Sequence, residues 1–160
     1  MSHALRFRSG QVQLRRFRVD AADLIRPGDL IVLDGDTARP ASSTPDAGSP
    51  AATREAASES FAGVAHTGSP VGDATPVSVD VSATSVYEVA VREAAYEVGD
   101  LLGPDEAAGA LSSDRLDAVA SPSEAVARAA EFTDGPVGRL RVTFASAVNT
   151  ASANASAQIG

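Results

Sequence analysis

Apolar and polar residues change places at every second position through the middle of the chain. Val77, Val79 and Val81 alternate with Ser78 and Asp80, and Tyr87, Val89 and Val91 alternate with Glu88 and Ala90. Tyr96 and Val98 then lead into Gly99-Asp100. Successive side chains of a strand point to opposite faces, so β-branched and aromatic residues at period two mark half-buried strands. The stretch 76–105 therefore reads as short strands separated by polar breaks, the centre of a β-fold.

This alternation belongs to a pattern that occurs twice. Gly28-Asp29-Leu30 and Gly99-Asp100-Leu101 each open a unit and are followed by a variable loop. A strand of small apolar residues comes next, at 62–65 and at 125–129. A turn follows, from His66 to Pro70-Val71-Gly72 in one unit and from Phe132 to Pro136-Val137-Gly138 in the other. Alternating strands close the units, at 77–81 and 140–144. Four features in one order imply an internal duplication, with half-repeats at about 25–85 and 86–146. The expected architecture is mainly β: a small β-barrel or sandwich with long loops and at most short helices.

Within the β-rich domain at 20–146, Leu30 to Leu33 reads as a buried strand and Asp34-Gly35-Asp36 as a hairpin turn. Carboxylates at alternate positions also suit Ca²⁺, but the further acids and closing Glu of an EF-hand are missing. Residues 37–60 lose all periodicity and contain Pro40, Pro45 and Pro50, which predicts a long loop with a short helical turn near 53–58. Residues 105–111 read as another helical turn, although Gly109 opposes it, and Leu116 to Ala120 as a strand. Residues 147–160 are small and repetitive, the composition of a flexible tail.

Charge is distributed unevenly. All thirteen basic residues are Arg and there is no Lys. A GC-rich genome accounts for that, and its chemical consequence is that no P-loop or Schiff-base lysine can exist here. Residues 1–19 carry Arg6, Arg8, Arg15, Arg16 and Arg18 without an acid, a charge of +5 against −13 for the remainder, which together give the net −8. Two readings fit this segment. It is a basic arm for an acidic surface, or a pair of edge strands with Leu5, Phe7, Phe17 and Val19 turned inward and charges on the solvent face. A strand can be both.

Catalytic chemistry finds little support. There is no Cys, His3 and His66 have no companions at metal-ligand spacing, and no Gly-x-Ser-x-Gly elbow accompanies the serines. Glu88, Glu93 and Glu97 offer a carboxylate pair in principle, but acids flanking strands are mostly solvent-facing. The expectation is a protein that is not an enzyme and uses no metal or cofactor. The acidic body argues against nucleic-acid binding. No apolar run approaches the ~20 residues of a membrane span, so no membrane partner is expected.

The succession Ile25 to Val32, Phe61 to Ala65, Val77 to Val81, Val86 to Val89, Tyr96 to Leu102, Ala125 to Ala129 and Leu140 to Phe144 resembles the small β-rich decoration (cement) proteins of tailed-phage capsids. Within that group it is most similar to the phage family once labelled RecA/RadA-like, a label that the missing Walker A lysine contradicts here. The resemblance covers most of 20–146. It implies a structural virion protein, made in the host cytoplasm, that binds the exterior of the assembled capsid. Its implied partner is the major capsid protein, with homotrimers at local three-fold positions. On this reading the capsid-binding residues are Arg6, Phe7, Arg8, Arg15, Arg16 and Arg18, and deleting residues 1–19 removes binding while leaving the fold intact. A virion surface or carbohydrate-recognition module is the alternative, with Tyr87 and Tyr96 as its only tyrosines for stacking on sugars.

Overall fold

A computed structural model describes residues 5–149, so His3 and most of the tail lie outside the described residues. Two five-stranded β-barrels follow one another along the chain. The first contains β2 (Leu14–Val19), β3 (Leu30–Asp34), β4 (Thr37–Pro40), β5 (Phe61–Ala65) and β6 (Val77–Asp80). The second contains β7 (Val86–Ala94), β8 (Leu101–Ala107), β9 (Ala110–Ala118), β10 (Ala127–Ala129) and β11 (Val137–Phe144). A further strand, β1 (Arg6–Ser9), is added to the outside of the second barrel against β7.

Both barrels are wound the same way. The first strand lies parallel to the third and antiparallel to the fifth, as β2 does with β4 and β6, and β7 with β9 and β11. The second strand is antiparallel to the third and to the fourth, and the fourth to the fifth. Duplication is thus a property of the fold.

The two Gly-Asp-Leu turns match bond for bond. Gly28 and Gly99 take φ of +93° and +90°, left-handed backbone that favours glycine. Asp29 Oδ2 accepts from Arg26 N at 2.8 Å, and Asp100 Oδ2 accepts from Glu97 N at 2.9 Å. Each glycine N–H donates to the last residue of the fourth strand, Ala65 O or Ala129 O, whose own N–H returns to the aspartate carbonyl. The Pro-Val-Gly echo behaves otherwise. His66 N donates to Ser78 O and Ala130 N to Arg141 O, so the counterpart of His66 is Ala130 and not Phe132. Pro70 to Gly72 fall in the loop before β6, whereas Val137 and Gly138 already belong to β11. The connecting loop is longer in the first barrel, which moves the same tripeptide out of register.

Three other expectations are corrected. The arm at 1–19 is not separate from the body, because Leu14–Val19 is the first barrel's opening strand. Deleting 1–19 would therefore open that barrel. Residues 37–60 are not one loop: they supply β4, a 3₁₀ turn (Ala41–Ser43) and α1 (Pro50–Glu59). Ser49 caps α1, its hydroxyl accepting from Ala52 N at 3.1 Å, and Pro50 sits in the first turn, where its missing N–H costs nothing. The expected helical turn at 105–111 is instead the β8–β9 hairpin, where Ala108 (φ +54°) and Gly109 (φ +82°) are both left-handed.

Two apolar clusters form. One fills the first barrel with Val19, Ile25, Ile31, Ala62, Val77, Val79 and Val81. The other fills the second barrel and continues out between the two, taking in Leu30, Val32, Ala57, Phe61 and Val64. β3 is therefore buried on both faces. β5 is too, because a bulge at Gly63 (φ +152°) puts Phe61 and Val64 on the junction side and Ala62 and Ala65 inside. Phe61 meets Phe144 across the junction with ring centroids 5.7 Å apart. Helix α1 seals one side of the junction through Ser58 Oγ, which donates to Ala125 O, and Arg54 Nε, which donates to Pro104 O, both at 2.9 Å.

Candidate interaction surface

The six residues singled out in the sequence are not brought together. Arg6, Phe7 and Arg8 lie on β1 against the second barrel, while Arg15, Arg16 and Arg18 lie on β2 in the first. All are exposed. Arg15 occupies the register position that Tyr87 holds in the second barrel, and its Nη1 donates to Val148 O at 3.2 Å. Arg18 pairs with Asp36 at 3.3 Å, both side chains lying largely in solvent, where such pairs are worth little. Phe7 packs edge-on against Tyr87, ring centroids 5.7 Å apart, and is still 43% exposed.

Around β1 the structure adds Arg139 and Arg141, which the sequence did not flag, and gives Glu88, considered there only as one of a carboxylate pair, a different setting. Glu88 of β7 sits in register between Arg6 of β1 and Arg141 of β11. Its Oε2 accepts from Arg8 Nη2 at 2.8 Å and its Oε1 from Arg139 Nε at 3.1 Å. One carboxylate is thus framed by four guanidiniums on the outer face of three adjacent strands. The hydrogen bond from Arg8, with that from Arg139, holds the Glu88 carboxyl below the usual range. The available signal was the i, i+2 spacing of Arg139 with Arg141, which in a regular strand places both members on one face, while Arg8 reaches Glu88 from the bulge between Phe7 and Ser9.

A second constellation joins the barrels. Tyr87, 3% exposed, donates its hydroxyl to Asp80 Oδ2 at 2.7 Å and lies 2.6 Å from His66 Nε2. With its one hydroxyl proton committed to Asp80, the Tyr87 oxygen accepts from His66 Nε2–H. Asp80 Oδ1 accepts the backbone N–H groups of Gln13 and Ser82, each at 2.9 Å. Burial, then the hydrogen bond to Asp80 and that residue's charge, push the Tyr87 hydroxyl far above the usual tyrosine range. A phenol held this firmly protonated is a poor base or nucleophile, and the group acts as a bolt between β6 and β7.

Ion pairs form a third cluster, in the order Arg115–Asp105–Arg92–Asp117–Arg54–Glu124, with contacts of 2.7 to 3.9 Å. Signs alternate throughout and Asp105 is 6% exposed by side chain, so the chain of charges is self-neutralised. A cleft of about 470 Å³ lies beside Asp29 and the β8–β9 hairpin. Burial raises the Asp29 carboxyl above its usual range although Arg26 N opposes the shift, and Asp23 in the same cleft is taken by Arg39 at 2.8 Å. Among the described residues no three His, Asp or Glu side chains form a set that could hold a metal, and no helix is long and apolar enough to cross a membrane. Glu93 and Glu97 are exposed and do not converge with Glu88 into a hydrogen-bonded set.

No protein-family model and no curated protein matches the chain.

Proposed function

We propose that this chain is a structural, non-catalytic virion protein that binds the outer surface of an assembled phage capsid and stabilises the expanded shell. The observation that supports this best is the display of arginine along the N-terminal segment. Five exposed guanidiniums stand on β1 and β2, in a chain whose remaining residues carry −13. Such a polarised surface favours oriented docking on acidic ground. The apolar junction fits the same role, since two barrels locked together can bridge neighbouring shell subunits as one stiff piece.

The mechanism is linkage. A plug that binds only the expanded lattice stabilises it by about 2.7 kcal/mol per site when present at a hundred times its Kd. The partner on this reading is the major capsid protein, with trimers of the chain at local three-fold positions on the capsid exterior. Tyr87 and Tyr96 are 3% and 1% exposed, so neither can stack on a sugar, and the carbohydrate alternative loses both of its proposed contacts.

Co-sedimentation with expanded and unexpanded shells tests the reading. Saturable binding to expanded shells alone, with a higher shell disruption temperature, is the expected result. Equal binding to both shell forms, or binding to neither, would overturn it.

A further inference from the structure

We propose that the outer face carrying Arg6, Arg8, Arg139 and Arg141 is a docking site for an extended acidic segment of a partner protein, with Glu88 standing in for that segment's first carboxylate. This deepens the capsid reading, and rests on it only for which protein bears the segment.

Charge is the first ground. Four arginines surround one glutamate, giving +3, whereas the chain as a whole carries −8. Arg128 on β10 and Glu131, whose Oε1 accepts from Arg141 N at 2.9 Å, offset each other at the rim. Arg6 and Arg141 have no ion-pair partner among the described residues, and both are exposed. Arg8 and Arg139 are each 38% exposed by side chain while Glu88 between them is 21% exposed, so the cations stand prouder than the anion they share.

Strand geometry is the second ground. Arg139 and Arg141 are two residues apart along a regular stretch of β11, a repeat of about 6.7 Å, and Arg6 and Arg8 flank Phe7 where β1 bulges. An extended peptide with acids at alternate positions has the same repeat. Among the described residues β1 pairs with β7 alone, which leaves its outer edge of N–H and C=O groups available for strand addition beside Arg6 and Arg8, with Arg139 and Arg141 two strands further in. A peptide can use that edge and a nucleic acid cannot. Long polyanions are also repelled by the acidic body.

Glu88 then acts as a placeholder. It keeps the arginines ordered before binding and competes with the incoming carboxylate, so removing its charge strengthens docking. The test is fluorescence anisotropy on the full chain at about 0.15 M salt, using a labelled peptide with Glu at alternate positions. Glu88→Gln should tighten binding up to about fivefold, the range of an exposed pair. Arg6→Glu with Arg141→Glu should weaken it at least tenfold, because like charges then face each other. Arg26→Glu, at an exposed position beside the first barrel's Gly-Asp-Leu turn, should leave it unchanged, and a peptide of equal charge with its Glu residues contiguous should bind less well. Urea melts confirm that each variant is folded. Unchanged or weaker binding by Glu88→Gln overturns the proposal. So does equal loss from Arg26→Glu, or tighter binding of a single-stranded oligonucleotide of the same charge. Peptide binding without shell binding would retain this site and reject the capsid reading.

Discussion

Raising the pH should unfold this protein through its tyrosines, and the chain is built so that the event can be seen directly. It contains two tyrosines and no Trp, so absorbance near 295 nm reports tyrosinate alone. Tyr87 is 3% exposed with its proton donated to Asp80, and Tyr96 is 1% exposed with its hydroxyl donated to Arg92 O at 2.6 Å. Burial raises both hydroxyls, helped at Tyr87 by Asp80 and at Tyr96 by the charges of Asp117 and Asp105. In the unfolded chain both return to about 10.

The sign follows from linkage. A folded-state value above the unfolded one means that the native protein holds its proton more tightly. Stability is therefore intact below pH ~10 and is lost as pH climbs from there towards the folded values. Tyr87 alone removes about 1 kcal/mol between pH 10 and 11 and approaches a slope of about 1.4 kcal/mol per pH unit above that, once the unfolded tyrosine is nearly all ionised. Tyr96 adds to the loss in the same direction. Against a total of ~5–15 kcal/mol, unfolding should become cooperative within two or three units. In a spectrophotometric titration the tyrosinate signal should stay flat through pH 10 and then rise in one step together with the loss of far-ultraviolet β signal. Tyr87→Phe should halve the alkaline slope and, by stripping Asp80 of its side-chain donor, cost about 1.5–3 kcal/mol at neutral pH. A smooth titration centred near pH 10 with the β signal intact would refute the reasoning.

Three further substitutions probe the backbone and the junction. Gly63→Ala should destabilise by ~3 kcal/mol or more, since a methyl there collides with Asp80 O and the bulge requires φ of +152°; a melting temperature within a few degrees of the parent would be wrong for this bulge. Ala108→Asn should stabilise by up to ~1 kcal/mol, because Asn tolerates the left-handed φ of +54° and Asn-Gly suits this hairpin, which urea midpoints can resolve. Arg54→Met should cost about 3 kcal/mol, because Asp117, Glu124 and Pro104 O lose a partner that is only 14% exposed by side chain; denaturant melts of single and double variants with Glu124→Gln should show coupling.

What could be read from the sequence divides along physical lines. The alternating valines and the Gly-Asp-Leu turns were legible because their signals are local: side-chain parity in a strand, and a left-handed glycine beside an aspartate that caps its own turn. Helix α1 was legible only as a short helical turn near 53–58, because its buried residues are Thr53, Ala57 and Ser58, too small and polar to trace an apolar stripe. The Ala108-Gly109 hairpin was obscured because Ala is a poor choice for left-handed backbone, and only the pairing of β8 with β9 forces it there. The arginine face was half legible. Arg6 and Arg8 stood out by composition, but Arg139, Arg141 and Glu88 join them through antiparallel pairings that link positions about 80 and 50 residues apart.

The same pairings explain how two like-wound barrels became one unequal body. Tyr87 and Tyr96 of the second barrel occupy the places of Arg15 and Ile25 in the first, as the strand register and the matched turns require. A tyrosine at the Arg15 position would have served the first barrel alone. At position 87 it reaches back to Asp80 and His66 in the first barrel, and with Phe144 and Phe61 it joins the cluster that runs between the two. The two units thus differ where they meet, while the Gly-Asp-Leu turns, whose backbone conformation leaves few alternatives, are alike. The asymmetry also assigns the surfaces. β1 pairs with Val86 to Glu88 of β7, and the equivalent stretch of β2, Leu14 to Arg16, carries no such added strand among the described residues. The added strand is therefore what brings Arg6 and Arg8 next to Glu88 on the second barrel.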